Sequence, residues 1–196
     1  QSIPSVVCAN KTDLVGLDSA KRIFSIYENI GYTVLYTSAQ RRTGIDELRA
    51  QLKDQISALI GPSGVGKSSL LNALEPGLGQ RVMNVSTATG KGRHTTTVSE
   101  LVPLQVGGWV ADTPGIRALA LFDLDPEEID AYFPDIAPYV PDCNFSDCSH
   151  IVEPGCAVRQ ALGTGAIDEH RYESYVRLHQ EHRQLADMYW WGINEE

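Results

Sequence analysis

Residues 61–68 read Gly-Pro-Ser-Gly-Val-Gly-Lys-Ser, directly after an apolar run at residues 56–60 and directly before a helical stretch from Ser69 onward. This placement constrains the fold more than any other feature of the chain. A glycine-rich turn between a strand and a helix presents successive backbone N–H groups and the positive end of the helix to one point, and phosphate oxygens fit there. Lys67 and Ser68 suit the same site, the lysine reaching the outer phosphates and the hydroxyl ligating magnesium. The expected nucleotide-binding set in this loop is Gly61, Ser63, Gly64, Val65, Gly66, Lys67, Ser68 and Ser69. A glycine turn without a ligand is the competing reading; the strand and helix on either side weigh against it.

Three further apolar segments also end at polar or glycine-containing motifs. Residues 3–9 precede Asn10-Lys11-Thr12-Asp13, residues 33–37 precede Ser38-Ala39, and residues 109–111 precede Asp112-Thr113-Pro114-Gly115. Helical stretches are expected at 19–29 and 45–53. Strands alternating with helices predict an α/β fold, a mainly parallel sheet with helices on both faces, with ligands held at the carboxyl ends of the strands. Residues 76–97 are rich in Gly, Ser and Thr and read as a long mobile loop; 98–106 read as a strand turning at Gly107-Gly108. The alternation stops near Phe122. Pro126, Pro134, Pro138, Pro141 and Pro154 punctuate the next stretch, and beyond Ile167 the residues Tyr172, Tyr175, Leu178, Leu185, Met188 and Tyr189 recur at helical spacing. One amphipathic helix packing against the domain is expected there. The organisation expected is a nucleotide-binding domain over 1–122 and a small, mostly helical domain over 123–196.

The base is read by the first motif. A carboxylate at Asp13 accepts two hydrogen bonds from guanine, from the ring N–H and the exocyclic amine; adenine has no such donor pair and leaves the carboxylate unpaired. Lys11 lies along the base, Asn10 ties the loops together, and Ser38-Ala39 offers a backbone N–H to the guanine oxygen. The expected ligand is therefore GTP or GDP with magnesium. Asp112 would hold the metal through water, and the Gly115 N–H would sense the terminal phosphate. Within Gly92-Arg93-His94-Thr95-Thr96-Thr97, Thr96 is favoured to complete the magnesium shell, with Thr95 the near alternative. Ile116 stands where many GTPases place a water-orienting Gln. His94 is the candidate for that task, an ordering role in the loop being the other reading. The expected catalytic set is His94, Lys67, Thr96, Asp112 and Gly115.

The chain carries 25 Asp and Glu against 16 Lys and Arg, a net charge of −9, which argues against nonspecific binding to nucleic acid or anionic membrane but leaves room for a local basic patch. No apolar run has the length of a bilayer span. Of four cysteines, Cys8 lies in the first strand as a small apolar residue. Cys143, Cys148, His150 and Cys156 follow C-x4-C-x-H-x5-C, three thiolates and an imidazole that make a closed tetrahedral zinc set, with Pro154-Gly155 turning into the last ligand. Disulfides or buried free thiols are the competing readings. Metal-ligating thiols imply a reducing compartment. His170, His179 and His182, on the late helix, read as surface or packing residues.

The order of motifs is rotated. The phosphate loop ordinarily comes first and Asn-Lys-x-Asp later; here the latter precedes it. The combination resembles the circularly permuted, ribosome small subunit-dependent GTPases of the RsgA (YjeQ) type, on NKTDL at 10–14, TSA at 37–39, GPSGVGKSSLLNAL at 61–74, GRHTTT at 92–97, DTPGI at 112–116 and CNFSDCSHIVEPGCAV at 143–158. That resemblance implies a late assembly factor whose GTPase is stimulated by the small ribosomal subunit, with that subunit and its rRNA as partners, no membrane, a monomer, and the cytoplasm or an organelle as its place. A non-catalytic GTP-sensing module using the zinc domain to bind a partner is the alternative. The family's N-terminal OB-fold is not among these residues, and the chain opens with Gln1 on a strand, so it reads as a piece of a longer protein. The rotation also makes Asp112-Thr113-Pro114-Gly115 lead out of the nucleotide domain toward the cysteine segment, so movement of that switch is expected to pull on that segment.

Overall fold

The computed structural model describes residues 3–80, 82, 101–111 and 125–193. The chain divides into two compact units, Gln1–Ala120 and Leu121–Glu196.

In the first unit, β1 (Val6–Ala9) and β2 (Thr33–Tyr36) pair in parallel, with Val6 opposite Thr33 and Ala9 opposite Tyr36. Between them run a one-turn helix α1 (Thr12–Val15) and α2 (Leu17–Asn29). Ala20, Phe24 and Tyr27 recur at i, i+4 and i+7 along α2 and are among its more buried positions, the spacing of a helix laid on a sheet. A second sheet has the order β3 (Ile56–Ala58), β5 (Trp109–Ala111), β4 (Leu101–Pro103). β3 and β5 are parallel, with Ala58 opposite Ala111; β4 and β5 form an antiparallel hairpin. Parallel pairing thus dominates, as the strand–helix alternation implies. Helices α3 (Ile45–Leu52) and α4 (Lys67–Leu74) cover this part of the unit. Ile45, Leu48 and Leu52 line the inner face of α3 at i, i+3 and i+7 and share one core with Leu70, Leu74 and Val110.

Several boundaries differ from the sequence expectation. β1 starts at Val6 and leaves Ile3 exposed. α4 starts at Lys67, two residues before Ser69, because Gly66 takes a left-handed φ of 103° and caps it. The segment expected as a loop from Pro76 begins helically at residues 78–80, where Leu78 is fully buried in the core. An apolar side chain with core partners overrides the local glycine content.

In the second unit the proline-punctuated stretch forms two 3₁₀ segments, Pro126–Tyr132 and Ala137–Asp142. Asp125 opens the first by accepting the Glu127 N–H at 3.1 Å, with Pro126 in the first turn, where a missing N–H costs nothing. Helices α5 (Ala157–Gly163) and α6 (Glu169–Ile193) complete the unit. The core gathers Ile129, Phe133, Ile136, Val158, Ile167 and Tyr175. Arg171 fixes the start of α6 by a two-pronged pair with Asp135, at 2.9 and 3.1 Å, and stacks 4.7 Å above the Phe133 ring. The buried stripe of α6 includes Tyr175, His179 and His182, so the last two are packing residues; His170 is exposed. Burial first, and Arg183 next, hold the His179 imidazole below its ordinary range, which keeps the packed ring neutral. Among the described residues no helix is long and apolar enough to cross a membrane.

Candidate functional site

Because β1 and β2 are parallel and in register at their ends, residues 10–13 and 37–39 leave the sheet side by side. Thr37 N–H donates to Ala9 O at 2.9 Å, and Thr12 donates both its N–H and its hydroxyl to Thr37 O, at 3.1 and 3.0 Å. Thr37 and Ser38 are fully buried. The Ser38 hydroxyl donates to Asp13 Oδ1 at 2.5 Å and accepts the Arg41 N–H at 3.0 Å, so one oxygen of the half-buried carboxylate is pinned.

The same loop reaches the glycine-rich turn. Asn10 Nδ2 donates to Val65 O at 3.1 Å, and Lys11 Nζ donates to Gly64 O at 2.6 Å. Asn10 Oδ1 accepts from the Thr37 hydroxyl at 3.3 Å and from the Ala39 N–H at 3.2 Å. One side chain therefore links three loops. Gly66 is required for this contact: a Cβ there would collide with Asn10 Nδ2, and its φ of 103° disfavours L side chains. Lys67 Nζ donates to Gly61 O at 2.6 Å and Pro62 O at 3.0 Å. Ser63, Ser68 and Ser69 are at least partly exposed. The structure thus brings Asn10 and Lys11 to Gly64, Val65 and Gly66, and joins Ser38 to Asp13 and Ala39 to Asn10 beside them. His94, Thr95, Thr96, Asp112, Gly115 and Ile116 lie outside the described residues.

The second unit holds a cluster of Cys143, Cys148, His150 and Cys156, whose ligand atoms all lie within 4.8 Å of one another. His150 Nδ1 is 3.5 Å from both Cys143 Sγ and Cys156 Sγ, and those sulfurs are 4.0 Å apart. A tetrahedron with zinc–sulfur and zinc–nitrogen bonds of ordinary length has S···S edges of about 3.8 Å and S···N edges of about 3.5 Å, which these three edges match, and the donor set is compatible with zinc. Burial, together with the adjacent Cys156 and Cys143, pushes the Cys148 thiol up to about 12. Packed thiols resist ionising beside one another, and a divalent cation supplies the missing counter-charge. The four cysteines are free of disulfides.

Local chemistry places each ligand. His150 sits at a left-handed φ of 62° and is fully buried. Tyr172 donates its hydroxyl to His150 O at 2.7 Å, and Tyr175 donates to Ser149 O at 3.0 Å, so α6 braces the ligand loop from behind. The Glu153 carboxylate accepts backbone N–H groups from Ser149, Ile151 and Val152 and the Ser149 hydroxyl. Gly155, φ 71°, packs where a Cβ would strike the Asn144 side chain. Cys156 opens α5 as its cap, its sulfur accepting the Arg159 N–H at 3.5 Å. Sequence reasoning missed Asp130, whose Oδ2 lies 3.0 Å from His150 Nε2. No local pattern marks it, since it stands twenty residues upstream in an acidic turn.

Residues 1–122 match the family profile described as RsgA GTPase. The chain is 46% identical over 175 residues to the small ribosomal subunit biogenesis GTPase RsgA of Gemmatimonas aurantiaca, covering 89% of this chain and 57% of that protein. It is 48% identical over 176 residues to the protein of that name from Moorella thermoacetica, covering 90% and 60%. Among solved structures, YjeQ from Thermotoga maritima superposes with a TM-score of 0.70 at 40% identity, over 90% of this chain and 59% of that one. YloQ, a circularly permuted GTPase, superposes with a TM-score of 0.68 at 32% identity, over 91% and 57%. The chain therefore spans about 57–60% of the length of these relatives.

Proposed function

The chain belongs to the RsgA GTPase family and has its circularly permuted α/β fold, and from that premise we propose that it binds GTP with magnesium, hydrolyses it to GDP, and serves maturation of the small ribosomal subunit, which stimulates the hydrolysis. The observation that carries the nucleotide reading is the junction of Asn10 with Val65 and of Lys11 with Gly64. A loop suited to read the base and a loop suited to hold phosphate, far apart in sequence and in rotated order, are joined directly by these two hydrogen bonds.

In this reading Asp13, oriented by Ser38, takes the two guanine donors. The Ala39 N–H is directed at Asn10 Oδ1, so its contact with the guanine oxygen is a shared one. Residues 61–69 wrap the phosphates. Lys67, now on neutral carbonyls, transfers to charged phosphate oxygens, which are the stronger acceptors. Ser68 and Thr96 hold magnesium, with Asp112 acting through water; this all-oxygen set suits that ion. Magnesium, when bound, neutralises charge developing between the outer phosphates. Gly115 senses the terminal phosphate and His94 orients the attacking water. Cys143, Cys148, His150 and Cys156 hold one structural zinc. The nucleotide domain is 1–122 and the zinc domain 123–196. The names of the relatives support the small ribosomal subunit as partner; contact with its rRNA, a monomeric state and a setting in the bacterial cytoplasm, or an organelle, are part of the same proposal.

A second reading, a GTP sensor without turnover, is favoured by Ile116 in place of Gln. Single-turnover hydrolysis with and without small subunits separates the two. Hydrolysis that rises with subunits supports the enzyme, and a bound but intact GTP in both arms supports the sensor.

A further inference from the structure

We propose that Asp130 is the positioning residue of the metal centre, setting which nitrogen of His150 meets the metal and how strongly it donates; this rests on the zinc reading of the cysteine cluster. Of the carboxylates at Asp125, Glu127, Glu128 and Asp130, only Asp130 turns inward to a buried partner, while Asp125, Glu127 and Glu128 stay exposed. Ile129, next to it, is 1% exposed and anchors this 3₁₀ segment in the core of the second unit, which fixes where the Asp130 carboxylate points. Its Oδ2 lies 3.0 Å from His150 Nε2, with the imidazole fully buried and the carboxylate side chain only 15% exposed.

The geometry dictates the tautomer. An ionised carboxylate only accepts hydrogen bonds, and a neutral imidazole has one N–H and one lone pair. The proton therefore sits on Nε2, and the lone pair of Nδ1 faces Cys143 and Cys156 at 3.5 Å each. A ring that donates to a carboxylate is also the stronger base at its other nitrogen, and removing such a partner commonly costs 10–100-fold in metal affinity. The alternative role, a buried pair that merely holds the fold, predicts a loss of stability when one partner is removed, with zinc affinity unchanged. Asp135 already performs the structural task in the same unit through its two-pronged pair with Arg171.

The test uses the whole chain, with zinc affinity measured by competition against a chromophoric chelator. Asp130→Ala is expected to weaken zinc by roughly 10–100-fold. Asp130→Asn, whose amide oxygen still accepts the Nε2–H, is expected to fall between it and the parent, and it serves if the alanine variant fails to fold. Asp135→Ala is expected to lower thermal stability and leave zinc affinity unchanged. With cobalt substituted for zinc, the ligand-field absorption should shift in Asp130→Ala and hold in Asp135→Ala. Parent-like affinity in both Asp130 variants, or equal losses in the Asp130 and Asp135 variants, overturns the assignment while the zinc centre stands. A parent protein that takes up no zinc removes the centre and the assignment together.

Discussion

The amide of Asn10 donates to the carbonyl of Val65 at 3.1 Å across a separation of 55 residues. Its oxygen simultaneously accepts from Thr37 and Ala39. The loop proposed to read the base and the loop proposed to hold phosphate are thus joined by the side chains of Asn10 and Lys11 rather than by chain continuity, which is how a rotated chain can keep its site. Leaving partly buried partners unsatisfied costs about 1–3 kcal/mol. Asn10→Ala is therefore expected to weaken GTP and GDP binding by roughly 10–100-fold with the secondary structure kept. Gly66→Ala should do at least as much, because its Cβ meets the same amide. Titration calorimetry measures both, and parent-like affinity in both variants contradicts the junction.

Asp13 has one oxygen pinned by Ser38 at 2.5 Å. Asp13→Asn exchanges an acceptor for a donor at the position proposed to read the guanine amine. Selectivity is expected to move from GTP toward xanthosine triphosphate, whose carbonyl at that ring position accepts. Competition among GTP, XTP and ATP checks it; an unchanged GTP preference counts against Asp13 as the base reader.

The strand–motif–strand pattern made the α/β class, and the meeting of Asn10 and Lys11 with residues 64–66, readable from sequence, because parallel strands release their loops at one edge. The cluster of Cys143, Cys148, His150 and Cys156 was readable because its ligands are close in sequence. What was not readable lay in contacts between distant segments. The pairing of Asp130 with His150 and the bracing of Ser149 and His150 by Tyr175 and Tyr172 depend on where the 3₁₀ segment and α6 come to rest. The helical turn at residues 78–80 was hidden for a related reason: burial of Leu78 outweighs the glycines around it. His94, Thr96, Asp112 and Gly115 remain expectations from sequence.

The metal centre predicts about one zinc per chain by elemental analysis. Cys148→Ser removes a thiolate from a closed set and is expected to lose the metal and loosen residues 125–193, with GTP affinity little changed. Circular dichroism and nucleotide titration on the same sample check both halves. Metal-free native protein with oxidised cysteines contradicts the centre.

Glu153 offers a pH test. Burial raises its pKa, but the combined hydrogen bonds from Ser149, its own N–H and Val152 prevail and bring it from 4.5 down to about 2. A carboxyl with a depressed folded-state pKa stabilises fully above its unfolded value and loses that contribution as pH falls through the folded one. Glu153→Gln should therefore lower the unfolding midpoint at pH 7. The gap to the parent should close between about pH 4.5 and about pH 2. Both proteins are compared loaded with zinc, with bound metal quantified at each pH, so that acid release of metal is separated from the carboxylate's contribution. A gap that stays constant over that range means the carboxylate's charge is not what anchors the loop.

Hydrolysis by the isolated protein is expected to be slow and to accelerate on the small ribosomal subunit. Phosphoryl transfer draws its catalysis from positioning and electrostatics, so any group that must be ordered before it acts limits the rate. Ile116 has no polar side-chain atom to offer an attacking water, and the proposal gives that task to His94. A docked partner that fixes His94 and Thr96 raises turnover without contributing a residue of its own. His94→Ala should then lower subunit-stimulated turnover roughly a hundredfold while leaving affinity for a GTP analogue nearly unchanged. Lys67→Ala, by contrast, should weaken triphosphate binding itself. Linkage adds a reciprocal demand: a subunit that prefers the GTP-bound form must bind more tightly when GTP is present than when GDP is. Because this chain spans about 57–60% of its relatives, the rates are measured on the full-length form with small subunits, large subunits and neither. Stimulation by small subunits alone, with tighter binding in the GTP analogue, is the expected result. Equal rates in all three arms remove the ribosomal partner and leave the nucleotide site standing.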